Sequence, residues 1–547
     1  DLVEAACDRV PDREILICGE SRVVFKDLDA RANRLANYLH SIGIEAGQHI
    51  GIYAQNCVEW VEAMLAAYKI RAVPINVNYR YVEDELHYIF DNADLVALIF
   101  HREYADRAAN IQERLPKLKS YIAFGEGNEA DCEKLGAVDY EEALAKSSPE
   151  RKFEVRSGDD SYMLYTGGTT GMPKGVMWKQ VDIIFALGGA IDPYTSVRAE
   201  KPEDMQDKIK ADGEGMLRQL PMAPLMHGAA QWNVLSQLFI GNPCFMLPGG
   251  FEAHKCWEIV EREGINAIMI TGDATARPLM DALKEKKYPI PSLAVIVSSA
   301  AIFSPSVKLE FLEYKEGLIL MDATGSSEQG MTGKLMVTRE GLLQEIEEKK
   351  QGHVEKSRGV KIAPGPDVAV LDENWNTISA GSDVIGKLAR SGNIPSGYYK
   401  DPVKSAETFI SDPNGKRWSV AGDLACVEAD GTIVMLGRGS TSINSGGEKI
   451  YPEEVEGALK SHPAVFDALV VGVPDERWGQ RVAAVVQCRA GESVNLDEVD
   501  AHCRKHVAGY KVPRELHIVE QVKRAPSGKP DYRWAKEMAE EGGSKVS

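Results

Sequence analysis

At 547 residues the chain is too long for one ordinary core, and at about 150 residues per domain it is expected to form three or four folding units. With 44% hydrophobic and 27% charged residues it has the composition of a globular protein. It lacks the run of about 18 apolar residues that a bilayer span needs, so no transmembrane segment is expected. The formal net charge of -19 argues against general nucleic-acid binding, because a phosphate backbone demands a basic face.

In chain order, Leu28, Leu35, Leu39 and Ile42 keep helical spacing. The strand-like HIGIYAQ follows, then a helical EWVEAMLAAYKI and the β-rich AVPINVN, which together form a strand–helix–strand unit. A second cycle runs from the helical YVEDELHYIFDN to the buried-strand run LVALIF at 95–100. Alternation of this kind predicts a largely parallel sheet covered by helices. The charge-dense stretches at 201–215 and 339–352 mix both signs and are expected to be surface excursions or solvated helices. After residue 436 the texture changes: GRGSTSINSGG is hinge-like, Pro452 opens a helix over YPEEVEGAL, and FDALVVGV and RVAAVVQC read as strands. A domain boundary is placed near Ser440, dividing residues 1–439 from 440–547. The nine cysteines are scattered without a C-x-x-C pair, which predicts a reducing, cytoplasmic setting and no zinc site. No signal peptide is visible, and the chain begins at Asp1 without a Met.

Residues 165–175 read YTGGTTGMPKG, a composition unsuited to a helix or strand interior and so predicted to be a loop. A glycine-rich turn leaving a strand can aim backbone N–H groups at phosphate oxygens, with Thr hydroxyls and Lys174 adding donors and charge. Neither G-x-x-x-x-G-K-[ST], nor G-x-G-x-x-G, nor G-x-S-x-G is present here, which disfavours a P-loop ATPase, a dinucleotide fold and a serine hydrolase. A bland surface loop is the better reading of such a run unless other parts of a nucleotide site exist.

Three other parts do. DATGSSEQG, at 322–330, follows the strand-like GLILM, and a Glu in such a turn can hold Mg²⁺ through oxygen. Asp423 follows the strand-like RWSVAG and is suited to accept both hydroxyls of a ribose. KRAPSGKPDYRW, at 523–534, is a basic Gly/Pro turn that carries Lys529. Taken singly, each reads as a cap, a turn or a solvated tail; their combination and order carry the signal.

In that order these pieces resemble the adenylate-forming superfamily of acyl-CoA synthetases, peptide-synthetase adenylation domains and beetle luciferases, over almost the whole chain. The wording of YTGGTTGMPKGVMW, GSSE, GNIPSGYYKDP, GRGSTSINSGGEKIYPEEVE, AGYKVPR and APSGKPDYRWAKE is similar to actinobacterial-type acyl-CoA synthetases, including ligases for steroid side-chain acids. The resemblance implies an α/β fold with a large N-terminal domain of helix-flanked mixed sheets plus a small distorted barrel, then a small mobile α+β C-terminal domain. It also implies that Thr166, Gly167, Gly168, Thr169, Thr170, Gly171 and Lys174 grip the β and γ phosphates of ATP. Thr324, Gly325, Ser326, Ser327 and Glu328 match the adenine and magnesium motif, with Glu328 and Thr169 on Mg²⁺. Asp423 matches the ribose acid, Arg438 the arginine near the hinge, and Lys529 the catalytic lysine of adenylation. Gly446 and Gly447 would let the pantetheine of coenzyme A pass, and His227 matches a position where acyl pocket and thiol tunnel meet, with a satisfied core histidine as the equal alternative. Two departures stand out: Thr324 occupies a place usually held by an aromatic, and Ser440 a hinge place usually held by Asp or Lys.

The implied reaction joins a carboxylic acid to ATP as acyl-AMP and then to coenzyme A. Small residues in TGDATARP (271–278), VSSAA (297–301) and the surroundings of Trp232 suggest roomy pocket walls and a medium, long or polycyclic acid. The alternatives are a stand-alone ligase loading a carrier protein and a non-catalytic nucleotide-binding protein of the same fold. Retention of Lys174, Glu328, Asp423 and Lys529 speaks against the second. A homodimer is allowed for among the partners.

Overall fold

The structure is a computed structural model that describes residues 1–168, 171–187, 197–299, 301, 303–350, 360–438, 441–445, 448–475, 478–507, 509–525 and 528–542. The backbone gathers into two compact units, residues 1–251 with 393–409, and residues 252–392 with 410–547.

In the first unit the predicted parallel sheet is present. Its strands run in the order Val73–Asn76, His49–Tyr53, Leu95–His101, Ser120–Phe124 and Val138–Asp139, every pair parallel. Near-continuous apolar sequence such as LVALIF belongs in such strands because both faces are covered. The helix Phe25–Ser41 buries Leu28, Ala32, Leu35, Ala36 and Leu39, a stripe at helical spacing that meets the same core as Ile50 and Ile52. The helix Val58–Lys69 follows His49–Tyr53 and returns the chain to Val73–Asn76, as the strand–helix–strand reading requires. A three-stranded antiparallel sheet, in the order Gly397–Tyr398, Gly171–Lys179, Ser161–Gly168, carries the glycine-rich stretch.

In the second unit Ala267–Ile270, Val295–Ser298 and Ile319–Ser326 are parallel neighbours. An antiparallel run continues through Gly330–Val337, Val360–Pro364, Ile433–Arg438, Asp423–Val427 and Ser382–Ser391. The last hundred residues form the α+β pattern expected of them. Val465–Asp475 and Gly479–Cys488 pair antiparallel, and Glu515–Val519 adds in parallel. Their period-two alternation has a clear outcome. Ala468, Val470, Val482, Ala484 and Val486 face one apolar cluster with Val455 and Leu459, while Leu469, Val471, Ala483 and Val485 face another with Ala535 and Ala539. The two strands are therefore buried on both faces, one beneath the helix Pro452–Lys460 and the other beneath Tyr532–Gly542.

The charge-dense stretch at 339–352 folds as a helix over Arg339–Lys350, as expected of a solvated segment, and anchors itself by burying Leu342. Among the described residues no helix is long and apolar enough to cross a membrane.

Candidate functional site

The stretch 165–175, predicted as a loop, is instead largely a β-hairpin. Ser161–Gly168 pairs with Gly171–Lys179 in a register that sets Tyr162 opposite Trp178, Leu164 opposite Val176, and Thr166 opposite Lys174. Tyr162, Leu164, Val176 and Trp178 are all core residues, so packing on this face drives strand pairing despite the glycines. Gly175 is required rather than tolerated: a Cβ there would stand 2.9 Å from the Met163 Sδ and from the Tyr165 ring. The register slips between the pairs Thr166–Lys174 and Gly168–Gly171, leaving Met172 and Pro173 opposite Gly167. That is a bulge, where proline's missing donor does no harm. Thr169 and Thr170 lie outside the described residues, and of Gly167, Gly168 and Gly171 only the backbone path is described.

Polar ties fix this hairpin. Asn76, at the end of its strand, accepts from the Tyr165 N–H at 2.8 Å and donates to the carbonyls of Tyr165 at 2.9 Å and Met226 at 2.8 Å. The buried amide thus joins the start of the glycine stretch to the segment carrying His227, a role sequence reading missed because 89 residues separate Asn76 from Tyr165. The next strap is tight as well, since a Cβ on Gly228 would meet Leu164 at 2.5 Å. His227 is the half-buried residue just before the helix Gly228–Phe239, set beside the hairpin. The Tyr88 hydroxyl donates to the Pro173 carbonyl at 3.0 Å, and Lys174 forms an ion pair with Asp401, whose carboxyl it holds below the usual carboxylate range.

In the second unit the predicted turn at 322–330 is shorter than expected. The strand runs on to Ser326, and only residues 327–329 turn before Gly330–Val337 returns. Gly325 allows this, because a Cβ there would lie 2.4 Å from the Gly330 carbonyl oxygen. Thr324, where the resemblance implies an aromatic, shares a hydroxyl contact of 2.9 Å with Thr332 across the hairpin. The Ser326 hydroxyl is buried with no hydrogen-bond partner among the described residues.

The turn is fastened from beneath by residues that sequence reading missed. Gln329, only 1% exposed, donates to the carbonyls of Leu388 and Ser419 at 3.2 and 2.9 Å. Arg390 donates to the Gln329 carbonyl, and the Ser419 hydroxyl to the Glu328 carbonyl at 2.7 Å. Ser419 closes a strand four residues before Asp423, and Asp423 is the register partner of Arg438. The backbone of the Glu328 turn and the strand carrying Asp423 are thereby brought together. Of Arg438 only the backbone is described, and Ser440, Gly446 and Gly447 lie outside the described residues.

Lys529 sits in a closed turn. Ala525 N–H donates to the Lys529 carbonyl and Gly528 N–H to the Ala525 carbonyl, both at 2.8 Å. Arg524 donates to the Gly528 carbonyl at 3.0 Å while its other nitrogens grip both oxygens of Asp467 at 2.6 and 2.7 Å. Gly528 has φ of +76° and lies against the helix Gly272–Glu285.

All nine cysteines are free, and among the described residues no three metal-ligating side chains cluster.

Comparison with known proteins gives a concordant picture. The family model described as "AMP-binding enzyme" matches residues 3–399, and "AMP-binding enzyme C-terminal domain" matches residues 454–529. The chain is 51% identical to the 3-oxocholest-4-en-26-oate–CoA ligase of Rhodococcus rhodochrous, over 98% of this chain and 95% of that one. It is 48% identical to a medium/long-chain-fatty-acid–CoA/3-oxocholest-4-en-26-oate–CoA ligase of Mycobacterium marinum, over 99% and 96% of the two chains. A crystal structure of the anthranilate CoA ligase AuaEII in complex with anthranoyl-AMP superposes with a TM-score of 0.83 at 20% identity, over 100% of this chain and 98% of that one. The last likeness speaks to the fold alone: a large region of mixed sheets followed by a small α+β domain. The chain belongs to the AMP-binding enzyme family and stands among its acid–CoA ligases.

Proposed function

We propose that the protein is an AMP-forming acyl-CoA ligase acting on medium or long-chain fatty acids or on a steroid side-chain acid of the 3-oxocholest-4-en-26-oate type. The reading is carried by 51% identity across 98% of the chain to a ligase named for that steroid acid. Small residues along 271–278 agree with a large acyl group.

A carboxylate is a poor acyl donor because oxide would have to leave. Its oxygen therefore attacks the α-phosphorus of ATP, the α–β bridging bond breaks, and the electron pair departs with pyrophosphate. The product is a mixed anhydride with AMP. Two anions must approach, so Lys174 and Lys529 are assigned to offset the repulsion and orient in-line attack. A carboxylate is ionised at neutral pH, so no general base is needed in this half. Asp423 is assigned to the ribose hydroxyls, and Thr324 to Ser327 to the adenine and phosphates; the unpartnered, buried Ser326 hydroxyl supports a ligand there.

The turn at 327–329 presents oxygen donors of the type Mg²⁺ takes, and with no cluster of three ligating side chains among the described residues the ion would rely on phosphate and water oxygens as well. Glu328 and Thr169 are the residues proposed to hold it, and when bound it supplies charge neutralisation at the β and γ phosphates. In the second half the coenzyme A thiol attacks the acyl carbon, the bond to AMP breaks, and AMP leaves with the electron pair. His227, Gly446 and Gly447 are assigned to the thiol's path, with residues 440–547 reorienting about Ser440 between halves. The free cysteines support a reducing, cytoplasmic setting.

The test is to incubate the protein with MgATP, coenzyme A and acids from short-chain to 3-oxocholest-4-en-26-oate, separating AMP from ADP and measuring thioester. AMP with acyl-CoA is expected, and ADP as the product overturns the reading. AMP with no thioester but transfer to a carrier protein favours the carrier-loading alternative. Lys529→Ala is expected to abolish acyl-AMP formation while leaving conversion of supplied acyl-AMP largely intact.

A further inference from the structure

The helix Gly272–Glu285 has two faces with different fates. Ala276, Leu279, Met280 and Leu283 are buried in the body of the unit. Ala274, Arg277 and Asp281, at spacings of three and four, form a stripe along another face, and each meets the C-terminal hundred residues. A Cβ on Gly528 would stand 2.6 Å from the Thr271 Cγ2 and 3.6 Å from the Ala274 Cβ, so the lysine turn rests directly on the helix's first turn. The Arg277 Nη2 donates to the Lys460 carbonyl at 2.9 Å, and Asp281 lies 3.9 Å from the Arg489 guanidinium.

The middle contact is the one built to bear a load. Lys460 is the last residue of the helix Pro452–Lys460, so its carbonyl belongs to the helix end that has no intrahelical donor and carries partial negative charge. A guanidinium is well matched to it. Arg277 is only 4% exposed and is oriented from its own helix by Asp273, whose Oδ2 accepts from its Nε and Nη2 at 3.3 and 3.2 Å. Asp273 is fixed in turn by the Ser304 N–H at 2.8 Å. All of these supports stay on the Arg277 side. Of the bonds to the guanidinium, the one to Lys460 depends on where the C-terminal residues sit.

We infer that this helix is the seat on which the C-terminal residues dock for the adenylation half-reaction, with Arg277 as a positioning residue that holds Lys529 there through the Lys460 carbonyl. This rests on the reading above that Lys529 serves adenylation. Undocking for the thioester half breaks the Arg277–Lys460 bond and leaves a buried guanidinium short of an acceptor, so Arg277 weights the equilibrium toward the first half.

The experiment measures both half-reactions separately, pyrophosphate release from acid and MgATP, and thioester formation from supplied acyl-AMP and coenzyme A. Arg277→Gln is expected to slow the first about 10- to 100-fold, the range for losing one charge-assisted hydrogen bond, and to leave the second unchanged or faster. Arg277→Lys, which keeps a cationic donor, is expected to recover part of the loss. Gly528→Ala, which drives a methyl into Thr271, is expected to show the same selective loss. Equal slowing of both halves, or no slowing, in Arg277→Gln overturns the latch. If that variant does not fold, because Asp273 is left buried without its partner, the selectivity of Gly528→Ala decides alone by the same criterion. Lys529→Ala run alongside separates the two layers: equal loss of both halves there overturns the assignment of Lys529 itself. A selective loss there with a non-selective Arg277→Gln overturns only the latch.

Discussion

Two lysines are flanked by Gly and Pro, Lys174 of Pro173-Lys174-Gly175 in a strand beside its bulge and Lys529 of Gly528-Lys529-Pro530 in a turn, and they are held in different ways. Lys174 is held by its own ammonium on Asp401, in a pair whose side chains are 40% and 26% exposed. Lys529 is placed through its backbone, in a turn clamped by Arg524 on Asp467, side chains 11% and 10% exposed. A surface ion pair is exchanged for another anion at small cost, whereas a buried, bidentate pair is not given up at all. Lys174 can therefore leave Asp401 for a phosphate by a rotamer change. The Lys529 backbone moves only with its whole turn.

The sharpest way to break this contrast is Arg524→Ala. It strips the Lys529 turn of its tie at Gly528 and leaves Asp467 buried with Lys460, at 3.5 Å, as the cation that remains to it among the described residues. Breaking a buried pair by removing one partner costs about 3–5 kcal/mol, so a stability loss of at least about 3 kcal/mol is expected in chemical denaturation. A loss below about 1 kcal/mol would mean the buried clamp is no firmer than a surface pair.

The same clamp has a pH signature. Burial alone would raise the Asp467 carboxyl, but Lys460 and Arg524 outweigh it and hold the group down at about 2 against an ordinary 3.8. A depressed carboxylate adds stability that is complete above its unfolded value and is lost as pH falls through its folded one. The difference in stability between the parent protein and Asp467→Asn should thus shrink as pH falls from about 4 toward 2, by about 2 kcal/mol in all. A difference that stays constant over that window would remove Asp467's charge from the account.

Local signals and long-range ones differed in what they gave away. The parallel strands from His49 to His101 and the helix opened by Pro452 were legible because apolar period and cap residues act within a few positions. The two-faced burial of residues 468–473 and 482–486 was implicit in their apolar runs ALVVGV and VAAVV. The glycine stretch misled, since composition alone predicts a loop. Only the fold reveals that Gly175 faces Met163 and Tyr165 with no room for a Cβ, so that strand geometry requires the very residue that argues against a strand. The supports of the site were invisible for a different reason. Gln329 reaches Ser419 across 90 residues and Arg277 reaches Lys460 across 183, and no local pattern encodes such partners.

The gentlest probe is Asp401→Asn, and it isolates what a surface tether does. Asp401 has two duties: one oxygen pairs with Lys174 while the other accepts the Lys404 N–H at 2.9 Å and caps the helix Pro402–Thr408. An asparagine keeps a capping oxygen and removes the charge, so the helix should persist while Lys174 loses its ionic partner. If the tether merely parks the lysine, ATP no longer competes with a carboxylate for it. The KM for ATP should then fall by no more than about five-fold, the worth of a surface pair of about 1 kcal/mol at most, with kcat held. A rise in KM of ten-fold or more would reverse the interpretation, because it would mean that Asp401 aims Lys174 at the phosphates. Lys174 would then be fixed as firmly as Lys529, and the contrast between the two lysines would fail.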